Sequence, residues 1–215
     1  INFYSTITLN YDDSLQFPFT IGNNIVGFIK GQLVDSDIVI INLKGQSIKD
    51  RISTKYNDYL SVIAKDSNSI AYFSLKDKKH QLFYATENLR EPIAEIDFNA
   101  SVLDLAISPD GNTIAYQIGN QLVVRSKKDK ITQIDNIEPV GFTFSSDSQH
   151  LLIAKSLDNR EPLIISLSIN NRFQPKTIVK GFMPKMSQER LYYLRKDSID
   201  HKTWLFQQTA SGEDK

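Results

Sequence analysis

Ala106-Ile107-Ser108-Pro109-Asp110-Gly111-Asn112-Thr113-Ile114-Ala115-Tyr116 compresses an apolar strand, a tight polar turn and a second apolar strand into eleven residues. The turn chemistry is explicit. Pro109 presets φ, Asp110 can bond the backbone of its own turn, and Gly111 takes a positive φ at little cost. The phrase returns as Phe142-Thr143-Phe144, then Ser145-Ser146-Asp147-Ser148-Gln149-His150, then Leu151-Leu152-Ile153-Ala154. A looser copy runs from Val62-Ile63 through Asp66-Ser67-Asn68-Ser69 to Ile70-Ala71-Tyr72-Phe73.

Working outward, the first apolar residue after each such turn is Ile25, Ile70, Ile114, Leu151 and Leu191, at intervals of 45, 44, 37 and 40 residues. A period of about 40 to 45 residues built from short β-branched and aromatic runs is that of a four-stranded propeller blade. The chain therefore reads as all-β, a β-propeller of five four-stranded blades in a single domain over residues 1–215. The blades span approximately 15–52, 59–98, 101–135, 138–180 and 181–210. The fifth copy ends in the polar tail Ser211-Gly212-Glu213-Asp214-Lys215 without a fourth strand. At the other end, Phe3, Ser5, Ile7, Leu9 and Tyr11 alternate with more polar residues, a strand of period two. Strand 1–11 is expected to complete the last blade and remove its open edge. The rival account is a fragment of a six- or seven-bladed propeller.

The third copy, Ser108-Pro109-Asp110-Gly111 followed by Thr113-Ile114-Ala115-Tyr116, resembles the repeat of TolB-like propellers, which are related in architecture to WD-repeat proteins. The fourth copy matches in part, the second is degraded, and the first and fifth keep only the spacing. No Gly-His or Trp-Asp pair closes a blade, a departure from the standard WD repeat. The resemblance implies a protein-binding module, an extracytoplasmic sensor domain of a CadC-like bacterial regulator, or a gating domain beside a serine peptidase. Fold alone does not choose among these.

Composition narrows the field. Twenty-five Lys and Arg balance twenty-five Asp and Glu, so no net field draws this segment onto nucleic acid or an anionic membrane. The basic runs Lys76-Asp77-Lys78-Lys79-His80 and Lys127-Lys128-Asp129-Lys130 carry their own acids and read as solvated turns. With no cysteine there is no disulfide, thiolate nucleophile or zinc-thiolate site, which suits an oxidising compartment. The longest apolar run, Ile38-Val39-Ile40-Ile41, is far short of a membrane helix. Because the chain begins at Ile1, a processed protein or excised domain is expected, with any anchor in the missing part. A periplasmic or extracytoplasmic location is the corresponding expectation.

Chemistry is sparse. No Gly-x-Ser-x-Gly, phosphate-binding glycine loop or His-Glu-x-x-His occurs, and no catalytic residue, metal ligand or cofactor is assigned. His80 and His201 are expected between second and third strands, and His150 in a turn. Asp66, Asp110 and Asp147 lie in turns, where local capping explains them. Asp104 stands apart, inside a first strand between Leu103 and Leu105, so it is either buried and bonded or lines the channel, where the alternative of a glycan-acting five-bladed propeller enzyme would use it with a second carboxylate. Lys185, in the first strand of the fifth blade, is its counterpart. These two are the candidate binding residues, and the expected partner is a protein or small ligand at a propeller face. Trp204 and Leu191-Tyr192-Tyr193 are either a recognition surface or packing between blades. Asn99-Ala100-Ser101 matches a glycosylation triplet, here taken as chance.

Overall fold

A computed structural model describes residues 15–21, 25–32, 35–42, 47–52, 54–66, 69–86, 90–97, 99–126, 131–134, 141–157, 160–170, 174–187, 189–197 and 202–208. All regular elements among them are strands, and the chain falls into two compact units, Ile1–Asn99 and Ala100–Lys215. The proposed closing strand 1–11, the tail 211–215, Lys127–Lys130 and His201 lie outside the described residues.

In the first unit β1 (Leu15–Ile21), β2 (Ile25–Gln32), β3 (Asp35–Asn42) and β4 (Ser47–Ile52) form one antiparallel sheet in chain order. The next sheet takes β5 (Asn57–Ile63), β6 (Ile70–Lys76), β7 (Lys79–Ala85) and β8 (Arg90–Asp97), again in chain order. Ile38 and Ile52 of the first sheet meet Ile70, Tyr72 and Ala85 of the second in a buried cluster. Covering side chains of this size is worth about 1.5 to 3 kcal/mol each, which is what joins two sheets that share no ladder. The stretches from Asn57 and from Ser187, where a helical spacing could be misread, are strand and turn.

The second unit holds three sheets. One orders β9 (Val102–Ile107), β10 (Thr113–Ile118), β11 (Gln121–Ser126) and β12 (Ile131–Ile134); the next orders β13 (Phe142–Phe144), β14 (His150–Leu157), β15 (Arg160–Ser168) and β16 (Pro175–Lys180). The last has three strands among the described residues, β17 (Phe182–Ser187), β18 (Arg190–Lys196) and β19 (Thr203–Gln208). Strand β14 shows how the unit coheres. Its successive side chains point to opposite faces, and both faces are buried. Leu151 and Ile153 pack with Ala115, Leu122 and Val124 of the preceding sheet, while Leu152 and Ala154 pack with Leu191 and Tyr193 of the following one.

Four of the five first strands, all but β13, share a defect that periodicity did not reveal. Register slips between Gln16 and Phe19, between Tyr59 and Val62, between Val102 and Asp104, and between Phe182 and Lys185. Each slip is a bulge, which bends the strand and re-aims a side chain. In β5 and β17 the bulge puts a non-glycine residue into left-handed backbone, Leu60 (φ 47°) and Met183 (φ 52°). Just before β17 the tolerance vanishes. Gly181 has φ 151°, and a Cβ there would stand 2.5 Å from the Tyr193 ring and 2.8 Å from the Leu194 carbonyl.

A second surprise is the hairpin between β6 and β7. Lys76 pairs with Lys79, so the loop is only Asp77-Lys78, both left-handed at φ 49° and 59°. Such two-residue turns favour Asn and Gly, and each bulky L-residue costs roughly 1 kcal/mol. The equivalent loop between β10 and β11 uses Gly119 (φ 54°).

Candidate functional site

The repeated turns can be accounted for atom by atom. In the Ser108–Thr113 turn, the Ser108 hydroxyl donates to Asp110 Oδ1 at 2.6 Å and accepts the Thr113 N–H at 2.9 Å. Asp110 also accepts the Asn112 backbone N–H at 3.0 Å and its side-chain amide at 2.9 Å. The next sheet repeats the scheme: Ser145 Oγ donates to Asp147 Oδ1 at 2.5 Å and accepts the His150 N–H at 2.9 Å, and Asp147 accepts the Gln149 N–H. Partial burial pushes both carboxyls up, but these donors outweigh it and hold them below the ordinary range. The motif acids are structural.

The two turns are also tied to each other. Ser148, which stands where the third copy has Gly111, keeps a left-handed backbone (φ 60°) and accepts the Asp110 N–H on its hydroxyl at 3.1 Å. Beyond it a cleft of about 340 Å³ opens between Ser145, Ser146 and Asp147 on one side and Met186 and Glu189 on the other.

Asp104 lies where the sequence placed it, within β9 and opposite Gln117. Burial raises its carboxyl above the ordinary range, while the Leu105 N–H at 2.9 Å and the charge of Lys185 pull it back. Lys185 itself is exposed on β17, and strand β13 lies between β9 and β17. The register slips flank this pair with apolar surface: Leu103 is 45% and Met183 52% exposed. The first-strand face of the second unit thus offers one partly buried carboxylate, one ammonium and two exposed apolar side chains. That arrangement can bind a polar or zwitterionic group. It contains no nucleophile paired with a base.

The histidines differ from expectation. Because the hairpin loop is only two residues long, His80 falls inside β7, and its Nδ1 is hydrogen-bonded to the Tyr59 hydroxyl. His150 opens β14 with Nδ1 3.6 Å from Asp147. No group of three metal-binding side chains occurs among the described residues. Leu191 and Tyr193 are buried and Tyr193 stacks on Phe206, so that part of the aromatic run is packing, whereas Trp204 is half exposed on β19.

Two features escaped the sequence reading. Asp58 of β5 is fully buried; the Thr54 hydroxyl spans its carboxylate at 3.0 and 3.1 Å. Burial lifts it above the ordinary range, the Ser74 and Thr54 hydroxyls oppose that, and the charge of Asp37 adds to it. Ser74 Oγ stands near Asp58 yet outside hydrogen-bond geometry, and Tyr72 Oη, also buried, has no hydrogen-bond partner among the described residues. The second feature is Tyr56, whose ring lies 5.3 Å from Lys55 Nζ and 5.5 Å from Lys76 Nζ.

No family model and no curated protein matches the chain. Solved structures do. TolB from Acinetobacter baumannii is similar at a TM-score of 0.61 and 12% identity, over 93% of this chain and 53% of that one. The propeller domain of the Trilobed protease from Pyrococcus furiosus, described as having an open velcro topology, is similar at 0.55 and 13%, over 94% and 84%. The fold is a β-propeller. The propeller domain of Myceliophteria thermophila Cps50 (Swd1) gives 0.60 and 13%, over 97% and 70%. This propeller chain spans about half the length of the TolB chain it resembles.

Proposed function

We propose that the chain is a non-enzymatic recognition propeller, the extracytoplasmic sensor or protein-interaction domain of a larger bacterial membrane-anchored transcriptional regulator. In this reading residues 1–11 close a five-bladed ring. The observation that carries the binding role is the first-strand face of the second unit, where Asp104 and Lys185 are bordered by exposed Leu103 and Met183. Exposed apolar side chains beside a charge pair suit recognition, and the motif acids are already occupied by their own turns. The Ser-Pro-Asp-Gly repeat, the propeller fold shared with TolB and the absence of cysteine support the extracytoplasmic placement.

The coding sequence around this segment tests the proposal. A helix-turn-helix and a membrane helix upstream are expected. A Gly-x-Ser-x-Gly hydrolase domain downstream overturns it in favour of a peptidase gate, the second reading, which the likeness to a protease propeller favours. At the level of the site, Leu103→Asp and Met183→Asp are expected to abolish signalling by the full-length protein at unchanged thermal stability.

A further inference from the structure

The face that the β5–β6 ladder turns toward the first sheet carries a buried polar cluster that packing does not explain. Asp58 and Ser74 are directly paired across the two strands, so their side chains stand on one face. Tyr72, two residues back along β6, is on that face as well, where it meets Ile38 and Ile52. Val62 pairs with Ala71 on the opposite face, which turns Ser61 to the side of Tyr72. Asp58, Tyr72 and Ser74 are fully buried and Ser61 nearly so. The hydroxyls of Ser61, Tyr72 and Ser74 have no hydrogen-bond partner among the described residues. A buried hydroxyl left unpaired is costly, and three on one face beside a carboxylate call for an occupant that answers them.

Charge says which kind. Thr54 meets Asp58 with its hydroxyl, at 3.0 and 3.1 Å from the two oxygens, and with its backbone N–H, both neutral donors. The strongest outside charge on Asp58 is that of Asp37, buried on β3, and it has the same sign. Register sets Lys30 opposite Asp37, and the charge of Arg90 reaches Tyr72, but each acts on Asp58 less than Asp37 does. We infer a buried cation site for calcium or sodium, with Asp58 and Ser74 as ligands and the hydroxyls of Tyr72 and Ser61 beside them. An all-oxygen set suits a hard cation and disfavours zinc or copper, which take imidazole or thiolate. Magnesium is disfavoured because it demands rigid octahedral geometry and keeps its waters. Buried water is the rival occupant, since it satisfies hydroxyls, but it brings no charge to Asp58. A cation does both.

Thermal melts of the whole chain, freed of metal ions and held in choline chloride, test the inference by titration with calcium or sodium at constant ionic strength. A saturable rise in melting temperature of about 5 °C with one of the two is expected, and the ion that gives it at the lower concentration is the ligand. Equilibrium dialysis of the wild-type chain is expected to show that ion bound at a single site. Asp58→Asn is expected to melt above the wild type without the cation and below it at saturation, and Ser74→Ala to raise the half-saturating concentration about tenfold. The inference is overturned by no rise with either ion, which leaves buried water alone, by an equal rise with magnesium, or by a rise that Asp58→Asn retains. Asp104→Ala keeps the full response; its loss there would place the ion at the first-strand face of the second unit instead.

Discussion

The carboxylates of the repeat turns and those of the first strands are perturbed in opposite directions. Asp110 and Asp147 sit at the surface among their own donors and are held low, whereas Asp58 and Asp104 sit in strands, where burial raises them. Turn acids therefore stabilise the fold as charges, and strand acids stabilise it best when neutral. Relative to an ordinary value of 3.8, the contribution of Asp110 and Asp147 is present above that pH and is lost as pH falls through their depressed values. The contribution of Asp58 is fully present only below 3.8 and is lost as pH rises through its raised value.

The sharpest break of this contrast is Asp110→Ala. It strips the turn of three acceptor bonds, and a loss of about 1 to 2 kcal/mol is expected from urea denaturation at pH 7, shrinking toward pH 2. Asp104→Ala follows at on the order of 1 kcal/mol of destabilisation, read by the same urea titration. Asp58→Asn runs the other way. It keeps an acceptor for Thr54 while removing a buried charge, so a gain on the order of 1 kcal/mol at pH 7 that fades in acid is expected. Loss of stability at pH 7 in this variant would place Asp58 with the turn acids. The smallest effect is that of Ser148→Gly, where relief of left-handed strain offsets the lost bond to Asp110 to within about 0.5 kcal/mol. Its clearer readout is a rise in the Asp110 carboxyl toward the ordinary range, followed by NMR.

What could be read in advance divides along the same line. Ser-Pro-Asp-Gly is a local device whose hydrogen bonds close within six residues, so the turns, the strands beside them and their period followed from residue type alone. The second strands around Ile114 and Leu151 were legible for that reason. Asp58 was not, because it precedes the apolar run of its strand and its surroundings, Ser74 on the paired strand and the charge of Asp37 on β3, come from elements distant in sequence. The Asp77-Lys78 loop was read as a longer charged turn because it lacks the glycine that marks a two-residue hairpin, and His80 was displaced into a loop with it. Asp104 and Lys185 were expected in first strands and lie there, in β9 and β17, but the slips that expose Leu103 and Met183 were not read from the hydrophobic pattern. A bulge adds one residue without changing the alternation on either side of it.

That last property reaches beyond geometry. A bulged first strand carries a residue that its ladder does not count, so that one residue can change side chain while the pairing on either side of it stays in phase. In β17 the uncounted position lies between Phe182 and Lys185, where Met183 is exposed, while Phe182 stays paired with Leu194 and Lys185 to Ser187 hold register with β18. Such a strand separates what can diversify from what must be kept, and a library grafted at Leu103 and Met183 would vary the exposed face without redrawing the sheets that carry it.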